Sequence, residues 1–260
     1  MAAKQARDTS VSIVILNYKT DEMVKRLVSS IRLHPKWELI VVDNSPEPSL
    51  KPFLEGKAGI SYVETGKNLG FSGGNNIGIR RAKGEWILIL NTDVEITDRE
   101  IDRLLKEAIN TDYPAAAPVL LNKNKSFQAS AGYLDRVRKP LNWVFARPRY
   151  LKKMPSVPTQ VDFANGAVLL VHDEVFEKVG LFDEDNFFMY FEDIDFGKRM
   201  KRAAIPILYT PQVKVIHYGG GSSRHTTAQN EHYEKGLRKY LRKHRGWGIE
   251  YINRIIKLLK

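Results

Sequence analysis

Apolar runs and helical patterns alternate along the first half of the chain. Residues 11–16, 39–42, 60–63 and 86–90 are short, mainly apolar runs of the kind that form buried strands. Between them, residues 21–33, 73–82 and a segment that begins near Asp98 repeat apolar residues at helical spacing. Strands that are joined through helices by short connections form parallel pairs with right-handed crossovers. We therefore predict an α/β fold with a mostly parallel central sheet flanked by helices.

The pattern breaks between residues 122 and 160, where Lys, Arg, Pro and aromatic residues replace the apolar periodicity. A connection of this length is uncommon in a compact domain unless it has a function. It is either a mobile lid beside a binding site or a surface insertion. Regular patterns return as apolar strands at 166–171 and 213–216, a helix at 173–179, and an aromatic strand at 187–191 that leads into a helix ending near residue 202.

Length and composition restrict the class of protein. A chain of 260 residues suits one α/β domain with appendages. The absence of cysteine excludes disulfides and thiolate metal sites. No apolar stretch approaches the roughly 18 residues of a membrane span, and the first ten residues lack the apolar run of a signal peptide. We therefore expect a cytoplasmic protein.

The C-terminal region is basic and amphipathic. Much of the net charge of +11 lies after residue 234, where Glu250 is the only acidic residue. Residues 233–244 and 249–260 carry apolar residues at helical spacing. The first segment is expected to pack on the domain, whereas the second either packs there or lies on an anionic membrane surface. No RNA-binding signature or helix-turn-helix spacing accompanies the charge, so no nucleic-acid partner is expected.

Polar residues with ligand-binding chemistry follow the predicted strands. Ligands in open α/β sheets collect beyond the carboxyl ends of the strands, and each of these clusters is expected at such an end. The clusters are Asp43-Asn44, Asn91-Thr92-Asp93, Glu192-Asp193-Ile194-Asp195 and His217.

Two of the candidate segments match nucleotide chemistry. A carboxylate at Asp43 can accept from a pyrimidine N3–H or from ribose hydroxyls, but Asp-Asn-Ser-Pro is also good turn chemistry. The glycine-rich residues 66–78 precede a helix, whose free amide groups and dipole favour an anion. The alternative is that these glycines only permit tight turns and close packing.

Asp93 and His217 are the candidate metal ligands. A hard divalent cation prefers oxygen ligands and keeps positions open for diphosphate oxygens and water. The pairing requires residues 213–216 to lie beside residues 86–90. The alternatives are that Asp93 caps a turn and that His217 is structural.

The acidic cluster that opens the predicted helix after residue 191 is the candidate catalytic group. A carboxylate there can take a proton from an acceptor hydroxyl, whereas the alternative is an acidic helix start stabilised by the helix dipole. The carboxylates of Glu192, Asp193 and Asp195 are the candidates, with orientation of the base or acceptor expected for Glu192 and support of the neighbouring loop for Asp195.

The order of these segments resembles the inverting family 2 glycosyltransferases with the GT-A fold over about residues 11–245. It is most similar to rhamnosyltransferase-like members, which carry an Asn-x-Asp version of the Asp-x-Asp motif, here Asn91-Thr92-Asp93. The resemblance implies that Asp43 contacts a uracil or thymine base, that His217 binds metal, and that Asp193 is the base. It also implies nucleotide contacts from Asn17, Asn44, Asn68, Gly70, Asn76, Asn91 and Thr92, and a donor or acceptor pocket at Gly166, Ala167, Ser222, Ser223 and Arg224.

The same resemblance divides the chain. Residues 1–10 are a flexible N-terminus, 11–228 a GT-A catalytic domain, and 229–260 C-terminal helices. Within the domain we expect a nucleotide-binding half at 11–121, a mobile insertion at 122–160 and an acceptor and catalytic half at 161–228.

The implied function is transfer of a sugar from a nucleoside diphosphate to an acceptor hydroxyl with inversion, in cell-surface polysaccharide or glycolipid assembly. The expected cofactor is Mn²⁺ or Mg²⁺, the donor carries UDP or dTDP with dTDP-rhamnose as the leading candidate, and the acceptor is a saccharide or a lipid-linked one. The expected location is peripheral on the cytoplasmic face of the membrane. The alternatives are a noncatalytic nucleotide-sugar or polyanion-binding protein and a nucleotidyltransferase.

Overall fold

A computed structural model describes residues 9–134, 148–219 and 227–245. Its strands are β1 (Val11–Asn17), β2 (Trp37–Asp43), β3 (Ile60–Glu64), β4 (Trp86–Asn91), β5 (Val94–Glu95), β6 (Ala115–Leu121), β7 (Ala131–Tyr133), β8 (Arg149–Tyr150), β9 (Thr159–Val161), β10 (Phe163–Ala164), β11 (Val168–His172) and β12 (Ile207–His217). Its helices are α1 (Asp21–Ser30), α2 (Lys51–Leu54), α3 (Gly70–Arg81), α4 (Asp98–Thr111), α5 (Asp173–Val179), α6 (Glu192–Arg202) and α7 (Thr227–Arg245). None of the helices in these ranges is long and apolar enough to cross a membrane.

A nine-stranded sheet forms the centre of the molecule, with the order β3-β2-β1-β4-β11-β6-β12-β5 and with β9 paired to β12. Strands β3, β2, β1 and β4 are parallel, as predicted for the first half of the chain. Strand β11 enters antiparallel to both β4 and β6. The α/β class is confirmed, and the second half of the sheet is mixed.

Apolar side chains cover both faces of this sheet. Alternate residues of β1 point to opposite sides, so that Ile13 and Ile15 join one core cluster and Val14 joins the other. Helices α1 and α4 pack on the first face, and α3, α5 and α6 pack on the second. A capping box formed by Thr97 and Glu100 begins α4 at the predicted position.

Two expectations about the second half were wrong. The strand expected at 213–216 spans Ile207–His217 and pairs with β6, β5 and β9, so it does not lie beside β4. The aromatic residues 187–191 form turns rather than a strand, and Tyr190 and Phe191 have φ angles of 69° and 71°. These residues are apolar because Phe187 and Phe191 fill a third core cluster with Tyr240 of α7.

The segment at 122–160 contains regular structure where it is described. Strands β7 and β8 pair with each other, and β7 pairs with β10, in a separate three-stranded sheet. Residues 135–147 lie outside the described ranges. The alternatives of a mobile lid and a surface insertion therefore stay open.

Asp195 connects α7 to α6. Its fully buried carboxylate lies 2.7 Å from His244 Nε2 and from Lys243 Nζ, both on α7, and 2.8 Å from Arg199 Nε. Burial alone would raise the pKa of Asp195, but the hydrogen bonds from His244 and Lys243 and the charge of Arg199 outweigh it and lower this pKa to about 2. Burial lowers the pKa of His244, so a neutral imidazole donates its Nε2 proton to an ionised Asp195. This network fixes the helix that begins with Glu192.

We predict that Asp195→Asn lowers the free energy of unfolding by about 3 kcal/mol, because it leaves buried cations without their carboxylate. In the unchanged protein this stabilisation is present above the ordinary pKa of 3.8 and is lost as the pH falls toward 2. Denaturant titration measures the loss, and hydrogen exchange should show faster opening of α7. The control is Asp185→Asn at an exposed position. Unchanged exchange in α7 would contradict the proposed docking.

We also predict that Gly78→Ala destabilises the protein by about 1–3 kcal/mol through overpacking, although Ala is the better helix former by about 1 kcal/mol. A Cβ atom at Gly78 would lie 2.2 Å from Val14 Cγ1 in β1. Thermal unfolding measures the effect, and Arg81→Ala on the exposed side of α3 is the control. A more stable Gly78→Ala protein would show that α3 and β1 are not in close contact.

Candidate active site

The carboxyl ends of β1, β2 and β4 bring the first group of predicted residues together. Asn17 is in register with Asp43, and Leu16 is in register with Asn91. Asn17 Nδ2 donates to Asp43 Oδ1 over 3.0 Å and to Asp21 Oδ1 over 2.8 Å. Thr20, whose hydroxyl donates to Asn17 Oδ1, lies 3.0 Å from the Thr92 hydroxyl. A continuous polar network therefore runs along this edge of the sheet.

Asp43 is the centre of this network and is fully buried. Its Oδ1 also accepts from Ser45 N over 2.9 Å, and its Oδ2 accepts from the Tyr62 hydroxyl over 2.7 Å. The Ser45 bond is the turn interaction that was the alternative for this residue. Contact between Asp43 and a base stays a prediction. Tyr62 could not be identified as a site residue from the sequence, because a single aromatic residue within a strand matches no motif.

A cavity of about 630 Å³ opens beside the same network. A volume of a few hundred Å³ or more is typical of small-molecule sites. Its wall is formed by residues that follow β1 and β2: Lys19, Thr20, Asp21, Glu22, Met23, Arg26, Ser45, Pro46 and Glu47. Ser45 and Pro46 belong to the Asp-Asn-Ser-Pro segment, whereas the residues of the wall that follow β1 match no recognisable sequence pattern.

The glycine-rich segment forms the start of α3, three residues earlier than predicted. Asn68 Oδ1 accepts from Gly70 N, and Gly70 has a φ angle of 72°. A Cβ atom at Gly70 would lie 2.2 Å from Phe188 O, which accepts from Phe71 N. Close packing, the alternative for these glycines, is therefore present. Anion binding here stays a prediction.

Two predicted asparagines support this arrangement from inside the protein. Asn44 Nδ2 donates to Gly70 O over 2.9 Å. Asn76 donates to Phe182 O and accepts from Phe182 N. Their amides therefore hold α3 against β2 and against the segment before α6.

Asp93 and His217 meet, although their strands are not the predicted neighbours. Strand β5 pairs with β12 and places His217 opposite Val94, so that His217 Nε2 lies 3.3 Å from Asp93 Oδ1. Gln128 Nε2 donates to Asn122 Oδ1, which turns Gln128 Oε1 toward His217 Nδ1 at 2.7 Å. With Gln128 Oε1 as the acceptor, His217 Nδ1 carries a proton, and Nε2 faces the Asp93 carboxylate.

This donor set fits a divalent cation. Two electron-pair donors directed at one point favour a cation between them, and a ligating histidine usually donates its other ring nitrogen to an oxygen acceptor. Among the described residues, no group of three or more His, Cys, Asp or Glu side chains could hold a metal. Further ligands would have to come from water or substrate. Gln128 was not identified from the sequence, because a single glutamine in a loop has no motif.

Glu192, which is buried, and Asp193, which is half-buried, begin α6 as a carboxyl pair. The backbone N–H groups of Ile194 and Gly166 donate to Asp193, but burial outweighs them and raises the pKa of Asp193 to about 6. Burial and the neighbouring Asp193 raise the pKa of Glu192 well above its ordinary value. Within the described part of the chain, Glu192 Oε2 has no hydrogen-bond partner. Both carboxyl groups therefore hold a proton more readily than ordinary acidic side chains do.

Gly166 and Ala167 connect the two sides of the site. Ala167 O accepts from Asn91 N over 2.9 Å, while Gly166 N reaches Asp193. A Cβ atom at Gly166 would lie 2.7 Å from the Phe71 ring, so this small residue makes room for an aromatic side chain. The remaining predicted pocket residues, Ser222, Ser223 and Arg224, lie outside the described ranges.

Two relatives in sequence agree with this arrangement. The chain is 34% identical over 217 residues to the low-salt glycan biosynthesis hexosyltransferase Agl10 of Haloferax volcanii, covering 80% of this chain and 66% of that protein. It is 25% identical over 266 residues to an N-acetylglucosaminyl-diphospho-decaprenol L-rhamnosyltransferase of Mycobacterium tuberculosis, covering 90% and 85%. The chain therefore spans slightly less than two thirds of the first relative.

The fold and the family are shown by two further comparisons. The crystal structure of GalNAc-T7 with UDP, GalNAc and Mn²⁺ superposes with a TM-score of 0.64 at 17% identity, covering 80% of this chain and 44% of that one. This likeness confirms the expected GT-A fold. The model of the family described as "Glycosyl transferase family 2" matches residues 12–180, well over half of the chain. The chain therefore belongs to glycosyl transferase family 2.

Proposed function

We propose that the protein transfers a hexose from a nucleoside diphosphate sugar to an acceptor hydroxyl with inversion at the anomeric carbon. The observation that carries the proposal is the carboxyl pair at the start of α6. A pKa of about 6 for Asp193 keeps this group ionised near neutral pH and makes it a stronger proton acceptor than an ordinary aspartate. Direct displacement with inversion needs such a base on the face opposite the leaving group.

Glu192 has a different role in this proposal. Its raised pKa favours the protonated acid, which can donate one hydrogen bond and accept another. Oε2 is buried and has no protein partner among the described residues, so an acceptor hydroxyl that reached it would supply its missing hydrogen bond. Glu192 therefore orients the acceptor, and Asp193 takes its proton. Asp195, which is held by three cationic or hydrogen-bonding side chains, keeps the helix in place.

The nucleotide is assigned to the cavity at the ends of β1 and β2. Its wall includes hydroxyl and carboxylate groups from Thr20, Asp21 and Ser45, which match the hydroxyls of a ribose and the N–H of a pyrimidine. Lys19 and Arg26 add positive charge for a diphosphate. The donor is then a UDP-sugar or a dTDP-sugar.

The metal is assigned to Asp93 and His217, with Gln128 holding the imidazole. A bound Mn²⁺ or Mg²⁺ supplies positive charge that stabilises a departing diphosphate. Asn91 and Thr92 lie at the same strand end and are assigned to the ribose side of the donor.

The sugar and the acceptor are proposed from the relatives. The rhamnosyltransferase of Mycobacterium tuberculosis is named for L-rhamnose and for an acceptor sugar on a lipid diphosphate. We assign dTDP-rhamnose as the leading donor and a lipid-linked saccharide as the acceptor class. Peripheral docking on the cytoplasmic face of a membrane suits such an acceptor, and the tail assigned to it, residues 249–260, lies outside the described ranges.

We predict that Asp193→Asn lowers kcat by about 100-fold or more, the scale that general-base catalysis usually supplies. Affinity for UDP or dTDP should be largely kept, because Asp193 does not line the nucleotide cavity. The measurement is release of free nucleoside diphosphate from a panel of dTDP- and UDP-sugars with N-acetylglucosaminyl acceptors. Release of pyrophosphate instead would indicate nucleotidyl transfer.

The dependence of kcat/KM on pH tests the same prediction in a second way. Asp185→Asn, at an exposed position, is the control variant. Since the base acts only when it is ionised, kcat/KM should increase with pH through an apparent pKa of about 6. The ascending limb should disappear in Asp193→Asn. If the ascending limb instead has an apparent pKa near the ordinary value of 3.8, Asp193 is not the general base. Full turnover by a folded Asp193→Asn protein would lead to the same conclusion.

We predict that EDTA stops transfer and that Asp93→Asn and His217→Ala each weaken metal-supported binding of dTDP or UDP by tenfold or more. Gln128→Leu should weaken this binding by roughly tenfold, because outer partners that orient a metal ligand typically contribute 10- to 100-fold to metal affinity. Calorimetry with and without Mn²⁺ measures both effects. Asp112→Asn, which removes an exposed carboxylate at the end of α4, is the control. Undiminished turnover in EDTA would reject the cation.

A further inference from the structure

Two exposed tyrosines lie next to the carboxyl pair of α6. Tyr150 and Tyr233 are 43% and 52% exposed, although large aromatic side chains are normally well covered. Neither residue has a role in the donor or metal sites. Their positions are set by two separate elements, β8 and α7.

The small sheet presents Tyr150 toward α6. Phe163 of β10 is opposite Gly132 of β7, and Gly132 is opposite Tyr150 of β8. Because Gly132 has no side chain, the Tyr150 and Phe163 rings meet across it with their centroids 5.0 Å apart and nearly perpendicular. Phe163 in turn packs on Gly197 of α6, where a Cβ atom would lie 2.7 Å from Phe163 Cβ. The sheet face that carries Tyr150 therefore packs on the helix that begins with Glu192 and Asp193.

Helix α7 presents Tyr233 to the same place. The Tyr233 ring lies 5.1 Å from the Phe191 ring and 6.0 Å from the Tyr190 ring. One turn later, Gly236 allows the helix to approach Tyr190 O, which would be 2.8 Å from a Cβ atom there. Phe191 directly precedes Glu192, so Tyr233 lies beside the residues that lead into the carboxyl pair.

The surroundings of the Tyr150 hydroxyl agree with this placement. Partial burial of its hydroxyl raises the pKa of Tyr150, although 43% of the residue is exposed, and the negative charge of Asp193 raises this pKa further. The hydroxyl is thus a proton donor in the field of both carboxyl groups and close to the second tyrosine.

We propose that Tyr150 and Tyr233 form the binding wall for the sugar ring of the acceptor. Their rings pack on the apolar C–H face of a pyranose, and the Tyr150 hydroxyl and Glu192 Oε2 bind its hydroxyl groups, one of which is directed at Asp193. Tyrosine suits this task because it offers a rigid apolar surface with a polar end. The proposal rests on the proposed glycosyl transfer, since it places an acceptor at Asp193.

The charges at this place favour a neutral sugar over a phosphate group. An anion would approach the ionised Asp193 in surroundings of low dielectric constant, where like charges repel strongly. Any diphosphate of a lipid-linked acceptor therefore lies further from α6, and the sugar ring packs on Tyr150 and Tyr233.

The test is saturation-transfer NMR with the methyl glycosides of N-acetylglucosamine, glucose and rhamnose, in the presence of Mg²⁺ and dTDP. At least one glycoside should bind to the unchanged protein through its ring C–H protons. Tyr150→Ala and Tyr233→Ala should each weaken its binding by about tenfold, the upper range of an aromatic contact. Tyr150→Phe should keep the ring contact and lose only the part of the glycoside affinity that the hydroxyl contributes.

Tyr133→Ala is the matched control, because Tyr133 is a 36% exposed tyrosine in the same small sheet, opposite Arg149 rather than in the Phe163–Gly132–Tyr150 row. Binding of dTDP should be unchanged in every variant, which also shows that each variant is folded. The proposal is overturned if no glycoside binds, if the two Ala variants bind normally, or if Tyr133→Ala is weakened as much as they are. The assay needs no turnover, so a protein that binds glycosides but transfers no sugar would contradict only the proposed function.

Discussion

The buried carboxylate of Asp195 is the interaction on which the catalytic end of the molecule depends. Arg199, Lys243 and His244 all direct their side chains at this one group, and its pKa is lowered to about 2 as a result. Asp193 and Glu192 lie within three residues of it but receive none of these side chains. Because the neighbouring cations are already paired, burial dominates at Asp193 and Glu192 and raises their pKa values. One ionised acid therefore takes the neighbouring cations and leaves the two other acids without them, which in the proposed function keeps those two available for proton transfer.

The same helix start requires an unusual backbone. Tyr190 and Phe191 both have positive φ angles, and side chains other than glycine adopt such angles at a cost of about 1–3 kcal/mol each. Burial of Phe187 and Phe191 against Tyr240 offsets this cost. On the other side, Gly70 lets α3 approach the chain closely enough for Phe71 N to donate to Phe188 O. The acidic start of α6 is thus fixed by α3 and α7 together, although neither helix adjoins it in sequence.

The elements that could be predicted from the sequence are those whose formation depends on residues close together in the chain. Continuous apolar runs identified the strands of the parallel half, and apolar residues at helical spacing after Asp98 identified α4, because both patterns lie within short stretches of the chain. The aromatic run at 187–191 was interpreted as a strand, since five large apolar residues do not reveal that their partner is a helix some fifty residues later. The pairing of β12 with β5 is also invisible locally, because β5 has only two residues. At the candidate site, the acidic clusters and His217 stood out by residue type, whereas Gln128, Tyr62 and Tyr150 act through contacts that only the folded chain creates.

The two sides of the site differ in whether their polar groups have hydrogen-bond partners within the protein. On the nucleotide side, the fully buried Asp43 carboxylate already accepts from Asn17, Ser45 and Tyr62, so a base could bind it directly only at the remaining acceptor position on Oδ2. A ligand in the neighbouring cavity meets Thr20, Asp21 and Ser45, which line that space already. On the catalytic side, Glu192 Oε2 is buried without a partner among the described residues, and leaving such a group unpaired costs about 1–3 kcal/mol. In the proposed function, a substrate hydroxyl that reached Glu192 Oε2 would recover this free energy. The donor would then occupy the existing cavity and the acceptor would meet an unsatisfied polar group, so that two different physical features would recognise the two substrates.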